Sequence, residues 1–276
     1  MNMRAAIFLA SGTLLAAAVN TAYVDEAAKW RADYEASLKA PTGWLAVAGL
    51  FWLHVGMNVT GSDPQSDVVL PASAPKRAGV LQFAGGKVTW EPASGEKRLL
   101  KSDDVRIGSL SFTIIKRGGK TGVRLRDPDA ETVKTFTGCK WFPADEHWRV
   151  KAKWVVYPEA KKIPITNILG MTEPETSPGY AEFAVKGQTV RLEPVIEDDQ
   201  LFFMFKDATS GKTTYGAGRF FYAPIPKPGD TTVDLDFNQA HNPPCAFTAF
   251  ATCPLPPKQN ALAIAVEAGE KNYGHH

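Results

Sequence analysis

Arg149-Val150-Lys151-Ala152-Lys153-Trp154-Val155-Val156 alternates two kinds of side chain, with Val150, Ala152, Trp154 and Val156 on one parity and Arg149, Lys151, Lys153 and Val155 on the other. Successive side chains of a β-strand point to opposite faces, so the run predicts a strand with one apolar face and one largely basic, solvated face. Downstream, Gly187 separates Ala181-Glu182-Phe183-Ala184-Val185 from Thr189-Val190-Arg191-Leu192, and Ser210-Gly211 separates Leu201-Phe202-Phe203-Met204-Phe205 from the next extended run. Both read as hairpins. Further strands are expected at residues 68–70, 80–83, 87–90, 109–115, 122–126, 165–169 and 262–266, each a short apolar or alternating run bounded by turn formers. The chain is therefore expected to be mostly β.

One helix precedes the strands. Ala27, Trp30, Tyr34 and Leu38 recur every three or four residues, Asp25 and Glu26 stand at the start and Lys39 at the end, and Pro41 and Gly43 stop the pattern. Farther upstream, Arg4 precedes an uncharged apolar stretch from Ala5 to Val19, with small residues near Ala18 and Ala22. These are the parts of a signal peptide, residues 1–22, and the stretch is shorter than a membrane-spanning helix needs. The expectation is a periplasmic or secreted protein with no stable membrane span once the signal is removed. Asp127-Pro128-Asp129 is the most turn-like break near the middle, which divides the rest into 23–127 (helix and first β half) and 128–276 (second β half).

Composition excludes more than it selects. At 276 residues, with 44% apolar and 22% charged residues, the chain is an ordinary globular one. A net charge of +2 with scattered basic residues gives no reason to expect a nucleic-acid partner. There is no Gly-x-Ser-x-Gly elbow, phosphate loop, dinucleotide glycine fingerprint or His-Glu-x-x-His helix, and no cofactor is expected.

The densest chemistry lies between Asp234 and Pro257, where the prolines restrict the backbone. Asp234, Asp236 and Asn238 share a parity, with Leu235 and Phe237 on the core side. Their Asp-x-Asp-x-Asn start resembles a calcium loop, but Gln239 and Cys245 stand where glycine and glutamate are needed, so no metal is assigned. His241, Cys245 and Cys253 offer a nitrogen and two sulfurs, and the same cysteines can instead form a disulfide, remain buried thiols, or supply a nucleophile at Cys245. Tyr215, Ala217, Arg219 and Phe221 are expected on one face of a strand, with Gly216 and Gly218 opening the other to close approach.

Two family resemblances follow from these motifs. Asp236-Phe237-Asn238, Asn242-Pro243-Pro244-Cys245-Ala246-Phe247, Cys253-Pro254-Leu255-Pro256-Pro257 and Ala268-Gly269-Glu270 resemble the bacterial family called domain of unknown function 1684. The likeness extends upstream through Gly43-Trp44-Leu45, Gly61-Ser62-Asp63-Pro64, Arg126-Asp127, Trp141-Phe142-Pro143 and Thr213 to Arg219. It implies no substrate and no catalytic residue. Gly56 to Asp63, followed by Val68-Val69-Leu70-Pro71, resembles the opening strands of a forkhead-associated domain. That likeness implies a β-sandwich-like first half and leaves a second β-rich half, with a barrel as one form it can take. Phosphothreonine binding is not implied, because Ser62 replaces the arginine such domains use and residues 74–78 contain neither serine nor histidine.

The leading functional expectation is recognition of a small anionic ligand in a C-terminal polar pocket, with Arg219 and Tyr215 at the anion and Asp236, Asn238 and Asn242 orienting it. A hydrolase using Asp236 or Cys245, or a structural envelope protein, stands beside it.

Overall fold

A computed structural model describes residues 20–100, 105–185 and 187–274. The signal-like stretch through Val19 lies outside the described residues. The chain is mostly β, with an N-terminal helix and several sheets that include a half-barrel. No helix among the described residues is long and apolar enough to cross a membrane.

Helix α1 spans Thr21–Lys39, starting four residues before Asp25 because the Asn20 side chain accepts the Tyr23 backbone N–H at 3.3 Å. Nine strands follow: β1 (Val47–Trp52), β2 (Gly56–Gly61), β3 (Val68–Val69), β4 (Gly79–Ala84), β5 (Lys87–Pro92), β6 (Arg98–Leu99), β7 (Val105–Ile107), β8 (Leu110–Arg117) and β9 (Lys120–Arg126). They build one sheet in the order β3-β2-β4-β5-β6 and another in the order β1-β9-β8-β7. Leu81, Trp90, Phe112, Val123 and Leu125 pack in one core with contributions from both sheets. This is the sandwich-like arrangement expected of the first half. A short helix α2 (Glu131–Lys134) comes next.

The second set of strands is β10 (Arg149–Thr166), β11 (Thr172–Val185), β12 (Gln188–Leu192), β13 (Val195–Glu197), β14 (Gln200–Phe205), β15 (Arg219–Pro224) and β16 (Thr232–Asp236). Their sheets run β12-β11-β10-β16 and β13-β14-β15. Along β10, Ala152 and Trp154 are buried and Lys151 and Lys153 exposed, as the alternation requires. Val156 is instead exposed, because the pairing with β11 shifts register between Val156 and Lys161. β10 also stops at Thr166 rather than Leu169, since the Asn167 side chain accepts the backbone N–H groups of Leu169 (2.9 Å) and Met171 (3.1 Å) and turns the chain. The core is aromatic: the Phe203 and Phe221 rings stack with centroids 4.8 Å apart, and Phe237 lies 5.0 Å from Phe221. Full burial of each such ring is worth about 2–3 kcal/mol.

The strand expected at residues 262–266 does not form, although Leu262, Ile264 and Val266 are buried. Its backbone groups are taken by other partners. Leu262 N–H donates to Lys206 O (2.8 Å), Ile264 O accepts from Ala208 N–H (2.9 Å), and Val266 N–H donates to Asp207 Oδ2 (2.9 Å). Arg219 completes this arrangement. Its Nη2 donates to Asp207 Oδ2 and to Val266 O, both at 2.9 Å, and its Nη1 donates to Ala268 O. The side chains of Arg219 and Asp207 are 1% and 0% exposed, so the pair works in a dry interior.

Removing one partner of such a pair strands a buried charge, which typically costs about 3–5 kcal/mol. Arg219→Met and Asp207→Asn are each expected to lower unfolding stability by about that much, and the double variant by less than their sum. Urea titration of the four proteins checks both statements.

Candidate functional site

The cleft with the most chemistry lies where α1, the β8–β9 hairpin and the C-terminal loops meet, and has a volume of about 300 Å³. Arg124 on β9 is 7% exposed and lines it. The guanidinium lies over the Trp44 ring at 4.7 Å, a cation–π contact. Among the described residues no carboxylate pairs with it, and its buried Nε has no hydrogen-bond partner. Burial, together with neighbouring Arg126 and Arg117, lowers its pKa to about 10. Arg117, at the end of β8, lines the same cleft. Asn242 faces it too: its backbone N–H donates to Glu270 Oε2 (2.7 Å) and its Nδ2 to Lys271 O (2.8 Å), while its Oδ1 is buried without a partner.

The walls are largely aromatic. Phe202, Phe220, Tyr222 and Tyr34 border the space, and Tyr222 donates to Glu197, a carboxylate at the rim, at 2.7 Å. His241 stands among rings, 4.9 Å from Tyr34 and 6.3 Å from Tyr222, with Nδ1 placed 3.0 Å from Gln239 O. Burial pulls its pKa down to about 4, so the ring is neutral at neutral pH. Its backbone exchanges two hydrogen bonds with Phe220, at 2.8 and 2.9 Å, which fixes the loop against β15.

Of the residues expected from sequence to build the pocket, Asn242 reaches this cleft and the others do not line it. Arg219 is enclosed by Asp207 and the carbonyls of residues 266–270, so it is held away from any small ligand. Tyr215 sits in a turn rather than on the strand with Arg219 and donates to Cys245 O at 3.2 Å. What approaches the backbone at Gly218 is the protein itself: a Cβ there would lie 2.6 Å from Phe205 O, at a φ of +106. Asp236 and Asn238 are also engaged. Asp236 accepts the Tyr23 hydroxyl at 2.8 Å and the Asn238 N–H at 3.0 Å. The chain turns into a 3-10 helix at Phe237–Gln239, so the shared parity ends at Asp236 and Asn238 points inward to Tyr23 Oη (2.7 Å) and Asp145 O (2.9 Å). These two residues fasten α1 to the C-terminal half.

Cys245 and Cys253 are separate thiols, with the Cys245 backbone N–H donating to Cys253 Sγ at 3.1 Å. Among the described residues no group of three or more His, Cys, Asp or Glu side chains is placed to hold a metal, so His241 and the two cysteines form no zinc cluster there.

A family described as protein of unknown function (DUF1684) matches residues 134–271, half of the chain. The chain belongs to DUF1684. The DUF1684 match takes in the C-terminal cleft residues, whereas Trp44, Arg117 and Arg124 precede it. An uncharacterised protein of Haloarcula marismortui, known from a solution NMR structure, is 30% identical over 52% of this chain and 80% of that one, with a TM-score of 0.44. No curated protein matches.

Sequence reasoning passed over Arg124 and Arg117. Arg124 alternates with the core residues Val123 and Leu125, which is the ordinary signature of a solvated strand face. Only the placement of Trp44 and the C-terminal loop over that face encloses it.

Below the cleft, Glu270 is fully buried, and burial raises its pKa to about 7. The folded protein keeps this proton between about 4.5 and 7 while the unfolded chain has lost it, so Glu270 makes stability fall as pH rises through that window. The size is about 3 kcal/mol. His241 acts with the opposite sign, since the unfolded chain takes up its proton near 6.5 and the folded one near 4. The two shifts are of similar size, so they offset each other where their windows overlap. Glu270→Gln is expected to remove the opposing Glu270 contribution and leave a stability that climbs with pH from 4 to 6.5, where the unsubstituted protein is nearly flat. Chemical denaturation across that range reads both slopes.

Proposed function

We propose that this protein binds a small anion with an apolar or aromatic body, held in the cleft by Arg124 with Arg117 beside it. The observation that carries this reading is the buried Arg124 guanidinium that no described carboxylate neutralises. A lone cation taken out of water is costly, and an anion brought by a ligand removes that cost. Trp44, Phe202 and Phe220 supply the apolar surround for its body. The rim carboxylate Glu197 disfavours a second negative charge at that end.

Export to the periplasm or cell exterior is part of the proposal, and the leader-like residues 1–22 support it. Asp236 supports no hydrolytic role, because both of its oxygens accept the Tyr23 hydroxyl away from the cleft.

A thermal-shift screen of aryl and alkyl carboxylates and phosphates tests the reading, since a ligand that binds the native state raises its stability. Arylcarboxylates are expected to raise Tm in a concentration-dependent way, with the response lost in Arg124→Gln and weakened in Arg117→Gln. Unchanged shifts in Arg124→Gln would overturn it.

A further inference from the structure

Cys245 and Cys253 form a pair that anion binding leaves unused. Cys245 lies in the 3-10 turn Pro244–Ala246, and its N–H reaches Cys253 Sγ eight residues later. That bond sets the two cysteines side by side. The Tyr215 hydroxyl, donating to Cys245 O, also reaches Cys245 Sγ at 3.7 Å. Cys253 lines the cleft together with Arg124, and the Cys245 sulfur beside it, with burial, pushes its thiol up. Bonds from Cys253 and Tyr215 draw the Cys245 thiol down to about 7, so near neutral pH the pair holds one proton between two sulfurs. A purely structural thiol pair has no need of a cation or an opening to a cleft. Cys139 is the contrast: half-buried, its thiol is pushed up by burial and by Glu270.

We propose that Cys245 and Cys253 are a thiol/disulfide couple that exchanges with a small anionic disulfide held in the cleft. Cys253 Sγ attacks one sulfur of the ligand as its proton passes to the neighbouring Cys245 thiolate, the ligand S–S bond breaks, and one thiolate leaves. That proton then passes from Cys245 to the leaving group. The Cys245 thiolate then attacks Cys253, forming the internal disulfide and expelling the second ligand thiolate. Two protein sulfurs are oxidised by two electrons, and the ligand disulfide is reduced to two thiol products, one of which takes the pair's proton. The preference for a charged ligand rests on the anion reading above; the sulfur pair does not.

The test uses the reduced full chain in a Cys139→Ala background with two probes, dithiobis-nitrobenzoate, which is aromatic and anionic, and dithiodipyridine, which is neutral. Each rate is divided by that of a free small thiol. The expected result is two released nitrothiobenzoates per chain and a product two hydrogens lighter with no label attached. The anionic probe is expected to react about tenfold faster than the neutral one, an advantage that Arg124→Gln removes. Cys245→Ser should stop at a stable mixed disulfide, and Cys253→Ser should lose the fast phase. A label retained by the unsubstituted pair, or a fast phase that survives in Cys253→Ser, overturns the couple. Equal rates for the two probes overturn the assignment of its oxidant to the cleft. Calorimetry of nitrobenzoate with the Cys245→Ser/Cys253→Ser double variant tests anion binding separately, because that protein can bind but not exchange.

Discussion

The Arg219–Asp207 ion pair is the constraint on which the second half depends. Leu262, Ile264, Val266 and Ala268 are apolar and buried but join no sheet, so the backbone groups of this stretch need partners from elsewhere. Asp207 accepts Val266 N–H while Arg219 donates to the carbonyls of Val266 and Ala268. Two charges thereby replace a missing strand. Their own desolvation is offset by Thr209, whose N–H and hydroxyl donate to Asp207 Oδ1 at 3.0 and 2.6 Å.

This support continues into the cleft. Glu270 follows the stretch that Arg219 holds, and its carboxylate positions the backbone of Asn242. Asn242 in turn follows His241, which is bonded to Phe220 on the strand that Arg219 begins. The C-terminal wall is therefore rigid for reasons that lie behind it, away from the space it encloses. The opposite wall, with Arg124 over Trp44, belongs to the first sheet system. The two candidate activities share these walls: one cation attracts charge, and one sulfur pair stands beside it.

Much of the fold is legible because burial repeats every second residue. Ala152 and Trp154, or Leu235 and Phe237, show their facing without any knowledge of neighbours. Legibility ends where side chains replace the ladder. The apolar run at Leu262, Ile264 and Val266 looks like a strand, and only the carboxylate of Asp207 and the guanidinium of Arg219, far back in the chain, make it otherwise. The site was harder to read for the same reason. Arg219 and Arg124 are both arginines on apolar strands, yet one is neutralised by Asp207 and the other faces a cleft, a difference set by long-range packing rather than local pattern. Asn238 was misplaced by a turn that begins with its own backbone N–H bonded to Asp236.

The clasp between Tyr23 and the Asp236–Asn238 turn ties together residues more than 200 positions apart. Contacts of such separation pay their loop-closure entropy late and slow the folding of a β-rich chain. The helix thus waits for a segment more than 200 residues later before it can dock. Until then the aromatic side of α1, with Trp30 and Tyr34 stacked on one another, stays open to other binders. Seating α1 on that half is therefore a late folding step, whatever order the sheets form in.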